Sequence, residues 1–203
     1  ARHRLSLELP RLDARVLQAS IVDVPVEDGS QDLVYSNGVI HHLPETERAV
    51  AEMHRALRPG GRALVMVYHR ASLNHHVNIM LIRRLLVLGL RLPGFATLVA
   101  RATGEDEAVL QGHRDLLDEH GLRYLTDRQL FLDNNTDGPG NPLSKVYGRD
   151  DARRLFGAFS EVRTHVRFLN LRLYPGGERL ARTALARRLE RRWGWHLWVE
   201  AVK

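Results

Sequence analysis

The sequence predicts one α/β domain built round a largely parallel sheet. Two short apolar runs, DLVYS from Asp32 and RALVMVY from Arg62, have the composition of strands that are buried on both faces. Between them lies a segment with apolar residues at helical spacing, which begins near Pro44 and ends at RPGG. A strand, a helix and a strand in this order are typical of a right-handed βαβ unit.

The elements before and within this unit follow in order. A short strand over residues 15–19 precedes a loop that contains Pro25 and Gly29, and the next strand covers residues 33–36. The helix after Pro44 places its apolar side chains on one face, namely Ala49, Val50, Met53 and Leu57. The strand that closes the unit covers residues 63–68.

Residues 70–150 depart from this alternation and predict a cap of helices and loops. The run VNIMLIRRLLVLGLRLPGFATLV is apolar but contains Arg83, Arg84 and Arg91, so it is too interrupted to span a bilayer. One interpretation is an amphipathic helix on a membrane surface, and the interpretation we favour is a lid helix packed over a pocket. The turn-rich loop NNTDGPGNPLSKVYGRDD follows.

The last part of the sequence returns to α/β order. ARRLFGAF predicts a helix, and SEVRTHVRFL alternates with period two, which indicates a strand over residues 162–168 with one buried face. GGERLARTALARRLERRWGW predicts one long amphipathic helix, and a final strand covers residues 197–202. We expect Trp193, Trp195 and Trp198 to pack in the core rather than to form a stacking platform.

Composition excludes several classes of protein. The 203 residues suffice for one domain with a core, and the absence of cysteine excludes disulfides, thiolate metal sites and cysteine nucleophiles. The net charge is +6, yet all of the 30 basic residues except Lys145 and Lys203 are scattered arginines, so we expect no specific nucleic-acid partner. The opening residues lack an apolar signal segment, which favours a cytoplasmic location.

Polar residues follow the carboxyl end of the strand over residues 33–36, where sheets of this kind bind ligands. Ser36, Asn37 and Gly38 lie there, and glycine permits a close approach of the backbone to a ligand. We therefore expect a ligand along Ser36–Val39.

The adjacent His41 and His42 have three interpretations: metal ligands, acid–base groups, or residues that shape the turn. Adjacent side chains usually point apart and no third ligand lies at a standard spacing, so we predict no metal site. We expect His42 to act at the mouth of the pocket. We expect the ring of His41 to hydrogen-bond to the backbone and to shape the turn.

One long segment carries a family resemblance. The residues VEDGSQDLVYSNGVIHHLPETERAVAEMHRALRPGGRALVMVYH, from Val26 to His69, resemble the class I S-adenosylmethionine-dependent methyltransferases, especially the type 11 or UbiE-like group. The match consists of an acidic turn, a fourth strand, an HH element, a helix, LxPGG and a fifth strand. The run NTDGPGNPLSKVY, residues 135–147, is similar to an insert that recurs in one bacterial subgroup of these enzymes.

The resemblance implies a Rossmann-like sheet in the order 3-2-1-4-5-7-6, with strand 7 antiparallel. Strands 3 to 7 correspond to the five predicted strands, at residues 15–19, 33–36, 63–68, 162–168 and 197–202. Residues 1–69 and 151–203 would form the core and residues 70–150 the cap of one domain. Strands 1 and 2, which carry the glycine-rich turn and the ribose-binding carboxylate of the family, have no counterpart, so we expect an amino-terminally truncated chain that is inactive alone.

The resemblance also implies a function, which is methyl transfer from S-adenosylmethionine to a small-molecule acceptor by in-line displacement, with the cap positioning the acceptor. A non-catalytic remnant or a partner-binding module on the same fold is the alternative. The implied cofactor-binding residues are Ser20, Ile21, Ser36, Asn37, Gly38 and Val39. Ser20-Ile21 replaces the Asp-Ala pair of the family, so a charge-assisted contact is lost.

Two further groups of residues are candidates for chemistry or acceptor binding. The catalytic candidates are His42, Tyr68 and His69, and the acceptor or cap candidates are Asn74, Asp137 and Tyr147. For Asp137 and its neighbour Asn141 the alternative is that their side chains bond to the backbone of their own turn.

Overall fold

The computed structural model describes residues 16–171 and 177–203. A mixed sheet forms its centre, with strands β1 (Gln31–Asn37), β2 (Leu57–His69), β3 (Val146–Tyr147), β4 (Glu161–Arg167) and β5 (His196–Val202). Four strands lie in the order β1-β2-β5-β4, and β3 pairs with the end of β2. β1 and β2 are parallel, whereas β5 is antiparallel to both of its neighbours.

The strands predicted from residue 33 onward are present. The strand predicted over residues 15–19 is wrong where the structure describes it. Arg15 lies outside the described residues, residues 16–19 have no regular secondary structure, and Ser20 makes only an isolated bridge to Asp23. A strand obtains its hydrogen bonds from a neighbour, and no described strand lies beside these residues. The full seven-strand order stays a prediction.

Helix α1 (Thr46–Ala56) connects β1 to β2, as the helical spacing predicted. Leu57 is already extended, so the helix ends just before RPGG. The apolar face of α1 packs on the sheet, and the cluster that results includes Ala49, Val50, Met53, Ala63, Val65, Val67, Leu197 and Val199. Burial of these side chains fixes the carboxyl ends of β1 and β2 side by side.

The cap consists of helices between β2 and β3. A π-helix (Asn74–Arg83) continues into α2 (Arg84–Gly89), and α3 (Phe95–Thr103), α4 (Glu107–His120), α5 (Leu122–Thr126) and α6 (Arg128–Thr136) follow. Its inner face packs against the sheet in a second cluster, which includes Met66, Tyr68, Ile79, Val87, Leu117, Tyr124 and Phe131. None of the helices in the described ranges has both the length and the apolar run that crossing a bilayer requires.

The carboxyl-terminal helices are α7 (Arg149–Leu155), α8 (Gly177–Ala181) and α9 (Ala184–Trp193). The prediction of one long helix in this region is wrong, because the chain breaks between α8 and α9. The Thr183 side chain accepts a hydrogen bond from the Ala186 amide at 3.2 Å and so caps a new helix.

Candidate functional site

The HH element is a short 3₁₀ turn, Ile40–His42, that follows β1 directly. Successive side chains on such a turn are about 120° apart, so the two histidines point in different directions. His41 is fully buried, whereas 24% of the His42 side chain is exposed. The turn therefore directs His42, and not His41, toward the loop that follows the cap helices.

His42, Tyr68 and Asp137 form a cluster, which we call the acid–base cluster. His42 Nε2 lies 3.3 Å from Asp137 Oδ2, and the Tyr68 hydroxyl donates to Asp137 Oδ1 at 2.7 Å. His42 Nδ1 lies 2.8 Å from the Leu143 carbonyl oxygen. Because a carbonyl only accepts, Nδ1 is assigned the proton and Nε2 faces the carboxylate. The cluster joins the ends of β1 and β2 to the cap loop.

Asp137 was one of the acceptor candidates, with bonding to its own turn as the alternative. That alternative is wrong, because its carboxylate contacts Tyr68 and His42 instead. It is also wrong for Asn141, whose amide donates to the Ser144 hydroxyl at 2.7 Å. The loop side chains thus point toward the sheet.

Tyr68 acts in this cluster as a hydrogen-bond donor. Its pKa is raised well above the usual value, first because burial disfavours the phenolate and then because Asp137 accepts its hydrogen bond and repels negative charge. The Tyr68 ring stacks on Trp195 with 4.3 Å between centroids, and it lies 3.9 Å from the ring centroid of His41. The phenol therefore stays protonated at neutral pH and orients Asp137.

The expectation that the His41 ring bonds to the backbone is wrong. Neither ring nitrogen has a hydrogen-bond partner among the described residues. Burial, followed by the proximity of His42 and His196, lowers the pKa of His41 to about 3, so the ring is neutral. The turn is held by the main chain instead, since the His41 carbonyl accepts from the Lys145 amide at 2.9 Å.

His41, His42 and Asp137 each offer one potential ligand atom, and these atoms lie within 4.8 Å of one another. This is a set that the sequence did not reveal, because the third member comes from a distant loop. In the structure, His42 and Asp137 already contact each other and Tyr68 holds the carboxylate. We therefore keep the acid–base interpretation, and the absence of a metal site stays a prediction.

Three other candidates lie apart from this cluster. His69 is buried, its Nδ1 lies 3.0 Å from the Gly194 carbonyl, and burial lowers its pKa. The Tyr147 hydroxyl donates to Thr46 Oγ1 at 3.2 Å, and Asn74 bonds within the π-helix. No hydrogen bond within the described ranges joins these three to the acid–base cluster.

A second candidate site is an apolar groove of about 360 Å³ beside β1. Its lining includes four of the predicted cofactor residues, which are Ile21, Ser36, Asn37 and Val39. Ser20 does not line it, and its exposed hydroxyl accepts from the Val22 amide in its own turn. Gly38 also lies outside the lining, with a positive φ of 74° that turns the chain away from β1.

The chemistry of this groove is apolar with a few polar groups. Ser36 is buried, and its hydroxyl has no hydrogen-bond partner among the described residues. The Glu52 carboxylate, also in the lining, already bonds Arg55 and the Val24 amide. These bonds, with Arg55 as the main cause, lower the pKa of Glu52 to about 2. An apolar wall with a hydroxyl and an amide suits a planar ring with polar edges.

Sequence reasoning missed the residues that attach the cap loop to the HH turn. Leu143 supplies the carbonyl that orients His42, and the Lys145 ammonium donates to the Pro44 carbonyl at 2.8 Å. The signal was present in the two loop glycines, Gly138 and Gly140, which both adopt positive φ and fold the loop back.

Comparisons with known proteins find similarity to methyltransferases over part of the chain. A family model described as a methyltransferase domain matches residues 1–65. Phosphoethanolamine N-methyltransferase 2 of Caenorhabditis elegans is 41% identical over 71 residues, which are 32% of this chain and 16% of that protein. The tRNA (carboxymethyluridine(34)-5-O)-methyltransferase ALKBH8 of Macaca fascicularis is 48% identical over 60 residues, 27% of this chain and 9% of that protein.

The chain thus spans less than a fifth of the length of either relative. A solved S-adenosylmethionine-dependent methyltransferase from Archaeoglobus fulgidus superposes with a TM-score of 0.49 at 9% identity, over 100% of this chain and 73% of that one. The first third of this chain is therefore similar to a methyltransferase domain, and the relatives that match it are named as methyltransferases.

Proposed function

We propose that this chain contributes to methyl transfer from S-adenosylmethionine to a small-molecule acceptor. The observation that carries the proposal is the acid–base cluster at the carboxyl ends of β1 and β2. Val39 lines the neighbouring groove only three residues before His42. A proton-accepting group therefore lies close to a ligand-sized groove.

The types of side chain that line the groove suit the cofactor. Ser36 and Asn37 offer hydrogen bonds, and Ile21 and Val39 offer apolar contact to a purine ring. When bound, S-adenosylmethionine supplies an electrophilic methyl group on a sulfonium. The unpartnered buried hydroxyl of Ser36 is the best single indication of a polar ligand here.

His42 is the proton acceptor in this proposal. Its Nδ1 keeps its proton and donates a hydrogen bond to the Leu143 carbonyl, and Nε2 takes the proton of an acceptor hydroxyl or amine. Asp137 then stabilises the imidazolium, and Tyr68 keeps the carboxylate in place. Tyr68 is thus a positioning residue, and His69, Asn74 and Tyr147 have no direct part.

The finer assignments belong to the same proposal. We place β1, β2, β5 and β4 at strands 4, 5, 7 and 6 of the family sheet, and the cap above the acceptor. The two relatives are named for different acceptors, a phosphoethanolamine and a tRNA uridine, so neither is chosen. Cytoplasmic location, bacterial origin and inactivity of residues 1–203 alone stay predictions.

Titration with S-adenosylhomocysteine, followed by amide NMR, tests the groove without requiring turnover. We expect the amides of Ile21, Ser36, Asn37 and Val39 to shift, while those near Leu122 in α5 stay unchanged. Asn37→Leu is expected to weaken binding about tenfold, since an amide hydrogen bond to a ligand contributes about 1 kcal/mol or more. Asn170→Leu, a substitution away from the groove, is the matched control.

No shift at millimolar ligand, or equal shifts across the cap, would favour the alternative of a non-catalytic remnant or partner-binding module. Transfer of a labelled methyl group to a hydroxyl or amine acceptor would establish the reaction itself. His42→Asn should then reduce the rate about a hundredfold, within the range of general-base contributions. His76→Asn, at an exposed histidine, should leave the rate unchanged.

The position of the ring proton of His42 can be measured independently of turnover. In its neutral form the ring is expected to carry the proton on Nδ1, because the Leu143 carbonyl accepts it at 2.8 Å. Long-range ¹H–¹⁵N NMR of the ring distinguishes the two tautomers. A proton on Nε2 in the neutral ring would remove the base from the proposal.

A further inference from the structure

The cap helix that starts at Asn74 is apolar on more than one side. Its inner residues Ile79 and Val87 are almost completely buried in the second core cluster, and Leu90 packs with Val99 and Leu110. A helix that is apolar all round is normally covered on every side. Here the described residues cover the inner side, and the outer side needs a separate explanation.

Five leucines occupy that outer side and form what we call the leucine stripe. Leu81, Leu85, Leu88 and Leu92 follow one another at spacings of four, three and four, so they lie along one edge of the helix and its carboxyl-terminal turn. Their exposed fractions are 54%, 62%, 43% and 62%, and Leu98 on α3 is 61% exposed. Single exposed leucines need no explanation, but a row of this kind marks an interaction surface.

The charged residues within the segment that carries the stripe are all arginines. Residues 71–104 contain no aspartate or glutamate and four arginines. Arg83 forms an ion pair with Glu105, and Arg84 lies over the Phe131 ring. The other two, Arg91 and Arg101, are exposed beside Leu92 and Leu98, and neither forms an ion pair within residues 16–171 and 177–203.

We propose that the leucine stripe docks on the surface of an anionic lipid bilayer. Exposed leucines enter the boundary between headgroups and acyl chains, and the arginines meet the negative headgroups. A second copy of the chain is a poorer occupant, because a symmetric contact would place Arg91 and Arg101 against like charges with no carboxylate between residues 71 and 104. The inference does not depend on the proposed methyl transfer.

Co-sedimentation with vesicles tests the stripe. The chain is expected to bind vesicles of phosphatidylcholine mixed with phosphatidylglycerol. The double variant Leu85→Gln/Leu92→Gln should lower the partition coefficient at least about tenfold, because both side chains lose apolar burial. Leu122→Gln, on the exposed side of α5 with a similar exposure of 59%, is the matched control and should bind as the parent chain does.

The arginines are tested in the same assay. Arg91→Gln and Arg101→Gln should each weaken binding to the anionic vesicles about fivefold, the effect of one basic residue near such a surface. Arg188→Gln, in the exposed part of α9, should not. Far-ultraviolet circular dichroism confirms that every variant is folded.

Three results would overturn the inference. The first is no binding to the anionic vesicles, and the second is an equal loss with the control substitutions. The third is a dimer in size-exclusion chromatography that Leu85→Gln/Leu92→Gln dissociates while vesicles remain unbound, which would assign the stripe to a second copy.

Discussion

Acidification from pH 7 to pH 4 is expected to destabilise the cap strongly. His75 and His113 are buried in it, and burial is the main cause that lowers the pKa of each to about 4. In the unfolded chain the pKa of both groups lies near the usual histidine value of 6.5. Between these values the unfolded chain binds more protons than the folded chain. Stability therefore rises with pH across this window and levels off above it.

The hydrogen bond of His113 Nδ1 adds to the effect of burial on the protonation of this ring. The Tyr124 hydroxyl lies 2.7 Å from His113 Nδ1, and Tyr124 already accepts from the Asn135 amide at 3.0 Å. Tyr124 thus donates to Nδ1, which must stay unprotonated. Asn135 in turn accepts from Arg83, whose positive charge also disfavours a charged imidazole, while Glu105 partly offsets it.

Urea unfolding at a series of pH values measures the effect. At about 1.4 kcal/mol per pKa unit, each of the two histidines should remove about 3 kcal/mol of stability by pH 4. His113→Gln is expected to lower stability at pH 7 but to make the slope between pH 6.5 and 4 shallower. Asn170→Gln, which removes no titratable group, should leave the slope unchanged. An unchanged slope in His113→Gln would contradict the assignment.

The elements that could be predicted from sequence are those determined by local pattern. Short apolar runs located β1 and β2, helical spacing located α1, and period-two alternation located β4, because burial acts on each of these segments separately. The prediction of a strand over residues 15–19 failed because the stability of a strand depends on a neighbouring strand. The break at Thr183 was not predicted, because one capping side chain outweighs the amphipathic pattern that continues on both sides.

The candidate site could be predicted only in part. Sequence reasoning selected His42, Tyr68 and Asp137 separately, but Tyr68 and Asp137, which share a hydrogen bond, lie 69 residues apart, and spacing does not reveal such a contact. It also assigned the hydrogen bond to the backbone to His41, whereas His42 forms it. The direction of each ring follows from the 3₁₀ turn and from the Leu143 carbonyl, which lies 101 residues away in sequence from His42. Such features depend on how the cap loop returns to the sheet.

Phe131→Ala is expected to destabilise the chain by about 3–5 kcal/mol, the range for removing a fully buried aromatic ring. Phe131 lies in α6 at the centre of the second core cluster, with its ring centroid 5.4 Å from that of Tyr124. The Arg84 guanidinium carbon is 5.1 Å from the ring centroid, so the variant also removes a cation–π contact from a half-buried charge. Urea unfolding at pH 7 measures the loss.

Phe131→Leu is the matched control, since it keeps most of the apolar volume and should cost clearly less than the alanine variant. The place where the structure loosens is a sharper test than the loss of unfolding free energy. Helix α6 ends at Thr136, directly before Asp137, so a loosened α6 should also loosen the contact between Asp137 and His42. We therefore expect Phe131→Ala, and not Phe131→Leu, to broaden the ring resonances of His42. An unfolding loss below about 1 kcal/mol would show that the cap core collapses round the cavity and does not hold the site.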